Sequence, residues 1–376
     1  ICHIYGLKQL KEKTMKKIIT SESVNVGHPD KTCDVIADAF LDEALKQDPN
    51  SQMAVECAIK NNKLFVYGES TTTAKLDYQQ IAKEVLNDIG YNADDFEFVI
   101  EVGMQSPDIN HAVEDVELMA NDQGIVFGYA TNETKEFMPL PILIAHKLMK
   151  KYDDFRRTTD CYFADAKAQV SVAYKDNLPV KISTVLISVS HSESVVNEEI
   201  QKTILAKVIH PVLGEYKQLV KTDIKYIINP SGKFTIWGSF GDSGCVGRKI
   251  VVDTYGGVGR VGGGCFSSKN VTKVDRSAAY YARYVAKNIV AHGFADRCEI
   301  QVAYGIGLSE PVSIYVECFG TNRIPQKEIE KYVIKNFDFA LDNIVKELGL
   351  QKPIFKETAC FGHFGREEFP WERIKN

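Results

Sequence analysis

The chain alternates between stretches with a helical repeat of apolar positions and stretches with a two-residue repeat. Over 30–45, Val35, Ile36, Ala39, Phe40 and Ala44 share one face, which predicts an amphipathic helix. Residues 53–59 and 63–68 read as a β-hairpin turning through Asn61-Asn62. A second helix is expected over 77–89, stopped by Gly90, followed by a strand over 96–102. Lys16-Lys17-Ile18-Ile19 starts a strand. Further along, 139–150 and 193–208 read as helices, and 168–174 with 180–190 as paired strands. Strands are expected at 225–229, near Phe234, at 249–254 (an apolar, buried type) and at 312–319. The clearest helix is 275–292, with Asp275 opening it, Ala278, Ala282, Val285, Ala286 and Ile289 on one face, and His292-Gly293 closing it. A last helix is expected over 326–337.

Strands and helices interleave, so the class is α/β or α+β. The strand–helix–strand rhythm recurs three times without a visible sequence repeat. Residues 104–124 are polar and aperiodic, with Pro107 and Gly124. A loop this long is a surface connection or a functional lid. Residues 1–14 are set aside as a cloning remnant, upstream read-through or a genuine extension.

At 376 residues the chain has room for two or three domains. Its 44% apolar and 25% charged content is ordinary for a globular protein. A net charge of −5 argues against a nucleic-acid binder. No apolar run approaches the roughly 18–20 residues that cross a bilayer. The nine cysteines are scattered and odd in number, with no CxxC pair and no zinc spacing. No secretory signal is read, so reduced thiols in a cytoplasm are expected.

Three segments carry chemistry. Gly27-His28-Pro29-Asp30-Lys31 puts an imidazole, a carboxylate and an ammonium at a helix start, where anions are favoured. Asp30 has an alternative reading as the helix cap. On a strand, Asp165, Lys167 and Gln169 share one face. Third, Gly241-Asp242-Ser243-Gly244 and Arg248-Lys249 lead to residues 256–264, with six glycines in nine positions, and then to Lys269, Lys273 and Asp275. Backbone amides of such a loop approach an anion closely, and cations at this density in an acidic chain want a polyphosphate. The P-loop pattern is absent. Gly257-Val258-Gly259-Arg260-Val261-Gly262 matches GxGxxG but runs into more glycine instead of a helix, so a dinucleotide fold is not supported. Asp30 and Asp275 stand where carboxylates would share a hard cation with phosphates. Glu56 sits in an apolar strand, so a cation or an internal partner is expected for it.

Several motifs, in order, resemble the methionine adenosyltransferase (S-adenosylmethionine synthetase) family. They are Thr20-Ser21-Glu22-Ser23-Val24, Gly27-His28-Pro29-Asp30-Lys31, Gln105-Ser106-Pro107-Asp108-Ile109, Asp122-Gln123-Gly124, Asp165-Ala166-Lys167, Gly262-Gly263-Gly264-Cys265-Phe266-Ser267 and Gly362-His363-Phe364-Gly365-Arg366. The likeness runs from about Lys17 to Trp371. It implies an α+β fold of three similar β-α-β-type domains with mixed sheets in a pseudo-threefold arrangement, divided at 15–110, 111–236 and 237–376. It implies sulfur attack of methionine on C5′ of ATP, followed by hydrolysis of the bound triphosphate to pyrophosphate and phosphate. By resemblance, His28 contacts the leaving oxygen, and Lys167, Arg248, Lys249, Lys269 and Lys273 contact phosphate or substrate. Asp30 and Asp275 match magnesium ligands (two ions per site), and Glu56 the potassium-site carboxylate. Glu69 and Gln105 match methionine-side contacts, and Asp122, Asp165 and Asp242 substrate or nucleoside contacts. Glu22 belongs to the substrate-binding set, and Phe234 matches an aromatic near adenine. Residues 104–124 resemble a mobile lid. The family builds its site between subunits, so a homodimer or homotetramer in the cytoplasm is implied, without nucleic-acid or membrane partners. The rivals are another ATP-dependent transferase or ligase, and a silent nucleotide-binding protein.

The chain departs from the family pattern at Cys265 (usually alanine), Ser268 (commonly glycine), Asn270 (commonly acidic) and Val261 (often histidine). A thiol at Cys265 beside the glycine loop is expected to make the enzyme sensitive to oxidation.

Overall fold

The structure, a computed structural model, describes residues 17–104 and 118–375. The expectations for residues 1–14, for Gln105 and for most of the 104–124 loop fall outside the described residues.

One element order occurs three times. The first pass is β1 (Lys17–Val24), α1 (Pro29–Gln47), β2 (Gln52–Lys60), β3 (Lys63–Thr71), α2 (Tyr78–Ile89) and β4 (Glu97–Gly103). The second is β5 (Gly124–Thr131), α3 (Leu140–Arg156), β6 (Tyr162–Lys175), β7 (Leu178–His191), α4 (Asn197–Ile204) and β8 (Val220–Ile228). The third is β9 (Gly244–Cys245), α5 (Val274–Ala291), β10 (Arg297–Tyr304), β11 (Ser313–Glu317) and α6 (Gln326–Asn336), followed by α7 (Leu341–Leu348) instead of a fourth strand.

The pairing repeats as well. The second and third strands of each pass form an antiparallel pair. The third and fourth pair in parallel in the first two passes. The first strand leaves its own pass and pairs antiparallel with the second strand of the next, as β1 with β6, β5 with β10 and β9 with β2. The fold is therefore α+β, with three mixed or antiparallel sheets in the orders β1-β6-β7-β8, β11-β10-β5 and β4-β3-β2-β9. This cyclic exchange ties the three thirds together, because no sheet is complete without a neighbour's strand.

Local chemistry explains most boundaries. The turn at Asn61-Asn62 joins β2 to β3, with Asn61 at φ 52°, a left-handed conformation that asparagine tolerates. Asp77 caps α2 by accepting from the Gln80 amide at 2.9 Å, and Gly90 ends it at φ 115°. Along β6, Val170 and Val172 face the core while Lys167 and Gln169 face out, as the alternation requires. The helix expected over 193–208 starts later and passes into a π-helical turn at Leu205–Ile209. Pro211 has no N–H to offer the normal i−4 carbonyl there.

Two expectations are corrected. Residues 249–254 are not a strand: Ile250–Asp253 is one helical turn, closed by the Asp253 amide donating to the Lys249 carbonyl at 2.9 Å. A short apolar run does not distinguish the two periods. Phe234 lies outside any strand, although its amide donates to His191 Nε2 at 3.1 Å and its carbonyl accepts from the His191 amide at 3.0 Å. Strands β5 and β10 and helix α7 are additional elements. Arg297, Glu299 and Gln301 alternate with Cys298, Ile300 and Val302 in β10, a strand pattern open to reading.

Candidate active site

The segment after β1 turns sharply into α1. His28 caps the helix: its Nδ1 accepts from the Asp30 amide at 3.2 Å. His28, not Asp30, therefore caps the helix, and the buried Asp30 carboxylate turns to the segment that follows Gly244. Both its oxygens are occupied. Oδ1 accepts from the Cys245 amide at 3.1 Å and lies 3.3 Å from Arg248 Nε, and Oδ2 accepts from Lys249 Nζ at 2.5 Å. Burial opposes the charge of Asp30, but the bonds from Lys249 and Cys245 hold its carboxyl below the usual carboxylate range.

His28 is almost fully buried. Burial, with the positive charges of Lys249 and Lys167, pushes its imidazole down to about 3. The ring is neutral at physiological pH. Since Nδ1 accepts a backbone N–H, the ring proton belongs on Nε2, which makes that edge a hydrogen-bond donor.

Asp242 and Asp165 join this cluster. Asp242 is exposed and close enough to His28 and Asp165 to act on both electrostatically. Asp165 accepts from the Gly238 amide at 3.0 Å through Oδ2, while Oδ1 is buried without a partner. Burial raises its carboxyl to about 6. Glu22, exposed on β1, lies opposite Gln169 in the register and so shares the outer sheet face with Lys167.

A second cluster forms around the glycine-rich loop. Lys269 Nζ donates to Asp275 Oδ2 at 2.6 Å. Gly264 lies so close to Asp275 that an added Cβ would stand 2.0 Å from its Oδ2, which explains glycine at that position. Lys269 also bridges Ala54 of β2, and Ala54 lies opposite Glu69 of β3. Lys273 sits among Lys269, Glu69, Asp122 and Asp275; burial and the Lys269 charge lower its ammonium below the ordinary value. With the Asn121 amide turned so that its oxygen faces Lys273 Nζ, the two lie 2.8 Å apart.

The predicted residues thus fall into two groups. His28, Asp30, Asp165, Lys167, Asp242, Arg248 and Lys249 form one, and Glu69, Asp122, Lys269, Lys273 and Asp275 the other. Among the described residues, Phe234 makes no ring contact with either group. Glu56 is half-buried on the outer face of β2 and has an internal partner, accepting from Tyr67 Oη at 3.4 Å. Cys265 is partly buried beside the glycine-rich loop. Burial pushes its thiol up to about 11, so the nucleophilic thiolate is scarce at neutral pH. A cavity of about 1020 Å³ along β11, α6 and α7 contains none of these residues.

Magnesium that serves phosphates usually takes one or two protein carboxylates and completes its sphere with phosphate and water. Asp30 and Asp275 offer one carboxylate each at separate points. No group of three or more His, Cys, Asp or Glu is gathered for a metal among the described residues. This donor set fits an ion carried in with a polyphosphate rather than a resident protein cage.

Several residues went unassigned in the sequence. Lys31 is buried and pairs with Asp34 Oδ2 at 2.8 Å and with Asp253. Arg276 pairs through both terminal nitrogens with Asp38, at 2.7 and 2.8 Å. The signal was present: Asp30, Asp34, Asp38 and Asp42 recur every fourth residue along α1.

The α+β frame of three repeated passes thus carries two clusters of cations and carboxylates whose chemistry suits a polyanionic ligand. Profiles of the S-adenosylmethionine synthetase N-terminal, central and C-terminal domains match residues 16–112, 117–234 and 236–373. A protein of Mesoplasma florum described as S-adenosylmethionine synthase is 49% identical over 371 residues, covering 96% of this chain and 98% of that protein. One of Sorangium cellulosum with the same description is 46% identical over 368 residues, covering 94% and 87%. The chain belongs to the S-adenosylmethionine synthetase family, whose members are methionine adenosyltransferases.

Proposed function

We propose that this enzyme makes S-adenosylmethionine from ATP and methionine by attack of the methionine sulfur on C5′ of ATP, and then hydrolyses the triphosphate to pyrophosphate and phosphate. The observation that carries the reading is the neutral, buried His28 beside the Asp30–Arg248–Lys249 cluster. A thioether needs no general base, so the barrier lies in positioning it and stabilising charge on the departing triphosphate. His28 Nε2–H donates to the leaving oxygen as charge grows there, and being neutral it neither attracts nor repels the bound substrate beforehand. Lys167, Arg248 and Lys249 carry the positive charge on this side, and Lys269 and Lys273 on the other. Asp165 Oδ1, buried and without a partner, is the acceptor for a nucleoside hydroxyl or amine. Asp242 lines the same side, Glu22 and Phe234 complete the nucleoside contacts, and Glu69, Gln105 and Asp122 receive methionine.

Two magnesium ions, held by Asp30 and Asp275, would supply further charge neutralisation on the phosphates. Potassium would sit at Glu56. The separation of the predicted residues into two groups supports a site completed by two subunits, each lending one group. The outer face of the β2–β3–β4 sheet, with Phe65, Tyr67 and Val99 exposed beside Glu56 and Glu69, supports the same reading. The reading includes a homodimer or homotetramer in the cytoplasm. Among the described residues no helix is long and apolar enough to cross a membrane.

The test is mass spectrometry of products from ATP, methionine, magnesium and potassium. The expected result is S-adenosylmethionine with matching pyrophosphate and phosphate, abolished in His28→Ala and Lys167→Ala. Nucleotide binding without a sulfonium product would refute it.

A further inference from the structure

Helix α1 carries four carboxylates at Asp30, Asp34, Asp38 and Asp42, one per turn on one face, and all four are buried. On a bare helix, like charges at this spacing repel. Here each accepts backbone N–H groups from the C-terminal third, Asp30 and Asp34 from the one segment that runs through Cys245 and Gly247, and Asp38 and Asp42 from two further loops. Asp30 takes the Cys245 amide, and Asp42 takes those of Phe355 and Lys356, both at 2.9 Å. The two middle residues are the informative ones, because the loops they hold carry the phosphate-facing cations.

Asp34 Oδ1 accepts from the Gly247 amide at 2.9 Å, immediately before Arg248 and Lys249. Its Oδ2 is fixed by Lys31, whose ammonium is itself locked by Asp253. Asp38 Oδ1 accepts from the Ser268 amide at 3.0 Å, immediately before Lys269. Asp38 also orients the Arg276 fork, and Arg276 Nη1 donates to the Lys269 carbonyl at 3.2 Å. Neither carboxylate has measurable exposure, so neither touches a substrate. The two loops meet where Gly247, at φ 77°, backs onto Cys265; an added Cβ would lie 2.5 Å from the Cys265 Cβ.

We infer that Asp34 and the Asp38–Arg276 pair are positioning residues, setting from beneath the two cationic arms that grip the triphosphate. Asp34 sets the Arg248–Lys249 arm, and Asp38 with Arg276 sets the Lys269 arm. A buried carboxylate bonded to the amide next to a long cationic side chain fixes where that side chain starts, and a displacement of about 1 Å at such a site costs on the order of 100-fold in rate. This inference rests on the proposed triphosphate chemistry.

The experiment measures kcat for S-adenosylmethionine formation, KM for methionine and the affinity for magnesium tripolyphosphate, on the full chain. Asp34→Asn is the first variant. It removes one of two carboxylates around a single ammonium, so Lys31 keeps Asp253 as its partner. Partners that orient site groups typically cost about 10–100-fold when replaced. Asp34→Asn is expected to lower kcat and tripolyphosphate affinity within that range and to leave the methionine KM unchanged. Arg276→Lys, which keeps the charge opposite Asp38 but loses the fork, is expected to do the same through the other arm. It carries the test alone if Asp34→Asn does not fold. A double-mutant cycle on tripolyphosphate affinity assigns each arm. Asp34→Asn should add nothing to Arg248→Ala/Lys249→Ala, and Arg276→Lys nothing to Lys269→Ala. Variants that only lower the melting temperature, or effects that multiply fully in both cycles, overturn the inference. A parent enzyme that neither binds tripolyphosphate nor makes the sulfonium sinks the functional reading instead.

Discussion

Replacing Ser268 by glycine should stabilise the protein. Ser268 occupies φ 78°, a left-handed conformation, and is only 1% exposed. Its hydroxyl is buried without a hydrogen-bond partner, while its amide is committed to Asp38. Left-handed backbone costs a residue with a Cβ about 1–2 kcal/mol. An unsatisfied buried hydroxyl costs about 1–3 kcal/mol more. Against these gains, glycine gives the unfolded chain extra freedom worth about 0.4–1 kcal/mol. The lost methylene burial is worth about 0.8 kcal/mol. The net gain is about 1–3 kcal/mol. It is read from the denaturant midpoint, with an unchanged slope showing that only stability moved. Ser268→Ala separates the two terms: it removes the hydroxyl but keeps the Cβ in the left-handed region. On these terms glycine and alanine should stabilise about equally, because the strain relief of about 1–2 kcal/mol is offset by the entropy of glycine and the lost methylene burial. A Ser268→Gly protein no more stable than the parent, or a Ser268→Ala protein no more stable than the parent, would refute the reasoning.

Two further outcomes follow from ionisation in the site. Because burial raises Asp165 to about 6, its carboxylate should be lost as an acceptor when pH falls through about 6, raising the KM for ATP. In Asp165→Asn that acid limb should vanish, and persistence of the limb would assign it to another group. For stability the sign is reversed. A carboxyl whose folded value is raised favours the folded state at low pH, and that contribution is lost as pH rises from the unfolded value near 4 through about 6. The third outcome concerns Cys265: with its thiol at about 11, parent and Cys265→Ala enzymes should lose activity to hydrogen peroxide at equal rates. Faster loss in the parent would show a thiolate that burial has not suppressed.

Much of the frame was legible because its local signals agree. The α1 periodicity, the Asn61-Asn62 turn, the Asp77 and Gly90 caps and the buried face of α5 each point to one structure, and the structure has it. The short segments were harder. Residues 249–254 are apolar enough for a strand, yet Asp253 must reach Lys31 in the interior, and one helical turn places it there. The regular aspartates of α1 were visible in the sequence, but spacing alone could not say whether they face water or other loops.

The sequence by itself determined the chemistry available: which cations stand near which glycines, which carboxylates flank them, and which family the ordered motifs resemble. Those are properties of neighbouring residues, and neighbours are what a sequence records. Tertiary structure decided how that chemistry is poised. His28 is neutral because burial and two lysines that lie far away in the chain make its charge costly. Lys31 is a buried anchor and not a phosphate contact because Asp34 and Asp253 enclose it. The cyclic strand exchange had no local signature at all, since a strand's pattern of burial is the same whichever sheet completes it.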